Sequence, residues 1–124
     1  MSHFSTINVQ VKNGEILHQV LKELGYQVEK NTEVRGYRGD RTRAEYVIRQ
    51  QNGYDLGFRQ SGDTYDLVAD FWGANVDQRS LVSTITQKYA HKTLLAAVAE
   101  QGFNVEEEEV LPDGTVRVVV GKWV

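Results

Sequence analysis

Val47-Ile48-Arg49-Gln50-Gln51-Asn52-Gly53-Tyr54-Asp55-Leu56-Gly57-Phe58-Arg59, continued by Gln60-Ser61-Gly62-Asp63-Thr64-Tyr65-Asp66-Leu67-Val68-Ala69-Asp70-Phe71, is the stretch whose register decides the fold. Asn52-Gly53 is the strongest short hairpin signal, because both residues tolerate the positive φ of a two-residue turn. Such a turn pairs Gln51 with Tyr54, Arg49 with Leu56 and Val47 with Phe58. Gly62-Asp63 is a weaker second turn, pairing Phe58 with Leu67, Leu56 with Ala69 and Tyr54 with Phe71. Both turns agree on one apolar face: Val47, Tyr54, Leu56, Phe58, Tyr65, Leu67, Ala69 and Phe71. A slip of one residue would turn a strand inside out.

The opposite face then sets Arg59 across from Asp66, an exposed pair worth only ~0.2–1 kcal/mol. Tyr46, Ile48, Val68 and Trp72 surround it, and Gly57 leaves a gap. If nothing covers that face, it is a wetted apolar patch rimmed by charge, a docking surface for a partner or a second copy. The alternative covers are the Arg35–Arg43 segment and the termini.

Outward from the meander, residues 3–12 alternate, with Ile7, Val9 and Val11 on one side, as in a half-buried strand. Asn13 can cap a helix whose apolar stripe is Ile16, Leu17, Val20, Leu21 and Leu24. Gly25-Tyr26-Gln27-Val28-Glu29 reads as helix stop followed by strand, and Gly102-Phe103-Asn104-Val105-Glu106 repeats that cassette. Arg35 to Arg43 has no periodicity and reads as a loop. A long helix runs from Asn75 or Asp77 towards Gly102, with a slip of phase near Ala90-His91-Lys92 that is either a kink or a break. Residues 103–111 and 115–123 form a last hairpin around Pro112-Asp113-Gly114, with Val116, Val118 and Val120 inward.

This order predicts one α+β domain over residues 1–124: a single, mainly antiparallel twisted sheet of six to seven strands with two helices on one face. The repeated cassette suggests two related strand–helix–strand modules.

With 124 residues, 40% hydrophobic and 25% charged, the chain can bury a sizeable core unaided. A net charge of −3 argues against a dedicated nucleic-acid binder. The absence of cysteine excludes disulfides, thiolate metal sites and cysteine nucleophiles. No long apolar run and no charged-then-apolar leader is present, so neither a membrane span nor a secretory signal is expected.

Ser2-His3-Phe4-Ser5-Thr6-Ile7, Gln87-Lys88-Tyr89-Ala90-His91-Lys92, Gln101-Gly102-Phe103-Asn104-Val105 and the closing hairpin ending in Trp123 carry a resemblance. Together they resemble the hypothetical chloroplast reading frame thirty-five family, a domain of unknown function from cyanobacteria and algal plastid genomes. The resemblance implies a cytosolic or stromal protein of photosynthetic cells, and no residue inherits a catalytic or binding role from it.

His3, His18 and His91 have no metal-ligand spacing, and no nucleophile elbow, phosphate loop or dinucleotide fingerprint occurs. No catalytic, cofactor or metal site is therefore expected. Asp55 opposite Asp70 is a carboxylate pair without a visible third partner. Arg35, Arg38, Arg41 and Arg43 form the one cationic segment, expected to pair in part with Asp40 and Glu45. Glu106 to Glu109 reads as an acidic strand that blocks edge pairing.

The function expected is a non-catalytic protein-interaction module, an assembly or regulatory factor in photosynthetic cells. Its partner surface is Tyr46, Ile48, Arg59, Asp66, Val68 and Trp72, with His3, Arg38, Arg41 and Arg43. The alternative is a small molecule or cofactor held between the sheet face and the arginine loop. RNA binding is disfavoured by charge.

Overall fold

The computed structural model describes residues 3–122. Ser2 and Trp123, which contribute to the resemblance, lie outside the described residues. Asn13 caps α1 (Gly14–Glu23) through its side-chain oxygen, which accepts the Ile16 N–H at 3.1 Å. Leu17, Val20 and Leu21 are the buried stripe. The helix stops at left-handed Gly25 (φ 95°), whose N–H reaches Lys22 O while Tyr26 N–H reaches Leu21 O.

The second cassette behaves alike. Gly102 (φ 80°) ends α3 (Gln78–Glu100) with its N–H on Ala99 O at 3.1 Å, and a strand begins at Phe103. α3 is continuous through His91. The shift of phase marks a change of neighbour: Leu81, Val82, Ile85 and Tyr89 pack on the main core, and the later turns meet the last hairpin.

β1 (Ser5–Asn8), β2 (Val28–Arg35), β3 (Arg41–Ile48), β4 (Leu56–Ser61) and β5 (Thr64–Ala69) form an antiparallel sheet in the order β1-β5-β4-β3-β2. β6 (Phe103–Val110) and β7 (Val116–Lys122) form a separate hairpin. The described residues are thus α+β with seven strands, divided between two sheets instead of joined in one. Length explains the division. The 23 residues of α3 rise roughly 1.5 Å each, so the helix outruns the strands it covers and carries β6 and β7 past them.

The β4–β5 register is the one read from Gly62-Asp63: Phe58 faces Leu67 and Arg59 faces Asp66. β3 is displaced by one residue. Phe58 faces Tyr46 instead of Val47, and Leu56 faces Ile48 instead of Arg49. Gly53 does turn, with φ 82°, and Asn52 Oδ1 accepts the Tyr54 N–H at 2.9 Å. The turn, however, sits within a connection from 49 to 55, because Arg49, Gln50 and Asp55 leave the ladder for one another. Tyr46 and Ile48 therefore belong to the helix-covered face with Leu56, Phe58 and Leu67, and Val47 belongs to the other.

Phe71 and Trp72 also leave the strand; Phe71–Ala74 is a single helical turn, α2.

The face expected to be open is covered by the chain's own hairpin. Arg35 pairs with Arg41 at the far end of β3, yet its side chain touches Gln50 and Asp55, just past Ile48 at the near end. The β2–β3 hairpin must therefore curl back over the sheet. Asn31 is left-handed (φ 51°), and the ladder skips from Lys30↔Tyr46 to Thr32↔Ala44 at this position. The curled tip buries Val34, Ala44 and Val47 together with Phe4, and on the strand beneath, Val68 opposite Gly57 is 1% exposed.

Gly57 is the residue that admits it. A Cβ there would run into Val34 Cγ2 and lie 3.0 Å from Ala44 Cβ. Gly57→Ala is therefore expected to lower unfolding stability by about 1–3 kcal/mol, read by chemical denaturation. An unchanged midpoint would contradict the curled-hairpin packing.

Candidate functional site

Curling brings four segments to one end of the sheet: residues 3–4, 35–40, 49–55 and 70–74. Asp55 is the fixed point, with no exposed surface. Arg35 grips it as a fork, Nε to Oδ2 at 2.8 Å and Nη2 to Oδ1 at 2.9 Å. Arg49 Nη1 donates to Oδ2 at 2.6 Å, and the Arg35 and Gln50 N–H groups donate at 2.9 and 3.1 Å. Arg49 continues the network to Glu29 Oε2 at 2.8 Å, and Gln50 Nε2 ties the loop to Ala74 O at 2.9 Å. Burial pushes the Asp55 carboxyl up, but the donors from Arg35, Arg49 and Gln50 outweigh it and bring its pKa down to about 2.

Asp70 is also fully buried, and its Oδ2 accepts the Tyr37 N–H at 3.0 Å. Among the described residues its Oδ1 has no partner. Asp55 and Asp70 thus end neighbouring strands as the sequence suggests, but each serves its own donors and they form no acid–base pair.

Above Asp70 lies an aromatic cluster. Gly36 lets the hairpin tip approach, since a Cβ there would meet Phe4 at 2.7 Å and Asp70 Cβ at 3.3 Å. Tyr37 packs edge-on against His3 (4.6 Å between centroids, 68°) and Trp72 (5.8 Å, 88°). Arg38 is held left-handed, φ 51° and ψ 38°, a region side-chain-bearing residues seldom use. Its guanidinium carbon sits 5.1 Å from the Tyr37 ring centre. His3, Tyr37 and Trp72 line a shallow cleft of about 200 Å³. Trp72 is 79% exposed.

Of the residues expected at the partner surface, the structure gathers His3, Arg38 and Trp72 and disperses the rest. Ile48 and Val68 are buried, on opposite faces. Tyr46 is half-buried beneath α1, stacked on His18 at 5.2 Å. Arg59 and Asp66 are opposite in register but engage other groups: Arg59 donates to Thr42 Oγ1 at 3.1 Å, and Asp66 accepts from Asn8 Nδ2 at 3.1 Å. Three of the four arginines lie in strands, Arg35 at the end of β2 and Arg41 and Arg43 in β3, and the loop proper is the turn over residues 36–40 that carries Arg38. Arg41 lies 3.5 Å from Glu33, and Arg43 donates to Asn31 O at 3.0 Å, in place of the expected Asp40 and Glu45. Tyr37 is the residue the sequence reading passed over. An aromatic between Gly36 and Gly39, beside an arginine, was the available signal.

The sign of the Asp55 shift gives a pH prediction. A folded pKa of about 2, below the ordinary 3.8, stabilises the fold above about pH 4 and is lost as pH falls towards 2, a contribution of ~2 kcal/mol. Asp55→Asn should cost about 3–5 kcal/mol at neutral pH and flatten the acid limb of the stability curve. An acid limb identical to wild type would refute the assignment.

"Protein of unknown function (DUF1257)" is the family description that matches residues 20–119. The chain is similar to "Uncharacterized protein ycf35" of Guillardia theta, 35% identical over 99% of this chain and 98% of that protein. It is also similar to the proteins of that name from Cyanophora paradoxa and Pyropia yezoensis, 28% and 25% identical over the same shares. No solved structure matches significantly. Covered nearly end to end by these relatives and over residues 20–119 by the family description, this chain belongs to the ycf35 family of DUF1257 proteins.

Proposed function

We propose that this protein is a non-catalytic protein-interaction module, an assembly or regulatory factor of photosynthetic cells, working in the cytoplasm or the plastid stroma. It docks its partner through Trp72, Tyr37, His3 and Arg38. The observation that carries this reading is an indole 79% exposed on a fixed base. Trp72 sits on a turn whose carbonyls Gly73 O and Ala74 O are tied to Asn52, and its ring rests edge-on against Tyr37. A large apolar side chain left in water on a rigid support is the kind of group that anchors interfaces, and Trp, Tyr and Arg are the residues enriched there. The left-handed backbone at Arg38 adds to the case, since strained positions concentrate where a side chain must be presented.

The small-molecule alternative finds less support. The space it needs between sheet and arginine segment is filled by Val34, Ala44 and Val47.

Trp72→Ala should leave the unfolding free energy within about 0.5 kcal/mol of wild type and abolish partner capture from a lysate of the native organism. Full capture by a folded Trp72→Ala protein would overturn the assignment of this surface.

A further inference from the structure

The main sheet buries its apolar residues on both faces, but the last third of the chain does not. Ile85 is the final buried hydrophobic residue, and from 86 to 121 no described side chain reaches that state. Val110 is 64% exposed, Leu94 41% and Val120 38%. Among the described residues β6 and β7 pair only with each other, and they rest on α3. A two-stranded hairpin needs such a helix to hold it in water, and here the helix leaves valines of both strands exposed.

Its two edges differ in charge. β6 carries Glu106, Glu107, Glu108 and Glu109, all exposed, which repels an incoming strand. β7 has no acidic residue; of its two cations, Arg117 is already neutralised within the hairpin by Glu109 at 3.2 Å and Glu107 at 3.9 Å, and Lys122 is the last residue of the strand, so antiparallel pairing sets the two copies' lysines at opposite ends.

We infer that two copies of this chain pair through β7, antiparallel about a two-fold axis, to make a four-stranded sheet in the order β6-β7-β7-β6. An edge rich in valine and free of acid is complementary to itself. The pairing makes the valines at 116, 118 and 120 one continuous face, with both α3 helices against it. The glutamate edges fall at the two outer rims, so association stops at two chains instead of running on as a fibre. This surface is separate from the Trp72 cluster and is independent of it.

Sedimentation of the full chain across a range of micromolar concentrations should show a dimer. Val119→Asp, which places carboxylates at the axis, should raise the dimer dissociation constant roughly tenfold or more. Because the chain has no cysteine, single cysteines placed in turn from 116 to 121 report the contact even if that variant folds poorly. Under mild oxidation, cross-linking should peak at one β7 position and fall away on either side, while Glu107→Cys on the outer strand cross-links weakly. A monomer at every concentration would overturn the inference. So would cross-linking as strong from position 107 as from β7, or capture of an unrelated protein on β7 by a monomeric chain.

Discussion

The carboxylate of Asp55, held by Arg35 and Arg49 without access to water, is what closes this fold. Burying a charge is costly, and it is tolerated here because five hydrogen bonds converge on two oxygens. Their geometry forces the far end of the β2–β3 hairpin back onto the sheet. Once there, Val34 occupies the space above Gly57, a second small core forms around Val47, and the Gly36–Arg38 turn comes to rest on Asp70. The aromatic cluster exists only because that return is made.

Much of the fold was legible in the sequence, because local chemistry specifies it. Asn13 caps, Gly25 and Gly102 stop their helices with left-handed backbone, and Gly62 turns with φ 65° to give the β4–β5 register that alternation required. What failed was long-range. Asn52-Gly53 does form a turn, but nothing near it in sequence announces that Asp55 will be claimed by an arginine 20 residues earlier. That claim widens the loop and slips β3 by one residue, which moves Tyr46 and Ile48 to the opposite face. Local preference was overruled by a buried ion pair.

The functional residues followed the same division. Trp72, Arg38 and His3 could be singled out by type, as a large aromatic, a cation and an unusual opening segment. Their convergence depends on Tyr37, whose place is set by the Asp70 carboxylate and the curl of the hairpin. The surface left to recognise a partner is accordingly not the sheet face but the rim where the hairpin tip, α2 and the N-terminal segment meet. The C-terminal hairpin, with one acidic edge and one free of acid, presents a second and physically different surface.

If the Asp55 cluster holds the hairpin down, the amide protons pointing into it are among the best protected in the molecule. Hydrogen exchange at the Arg35, Tyr37 and Gln50 amides, which donate to Asp55 and Asp70, therefore tests the central claim directly. Their exchange is expected to be as slow as that of the Phe58 amide in the central strand. Exchange at the rate of an open loop, with Phe58 still protected, would contradict it.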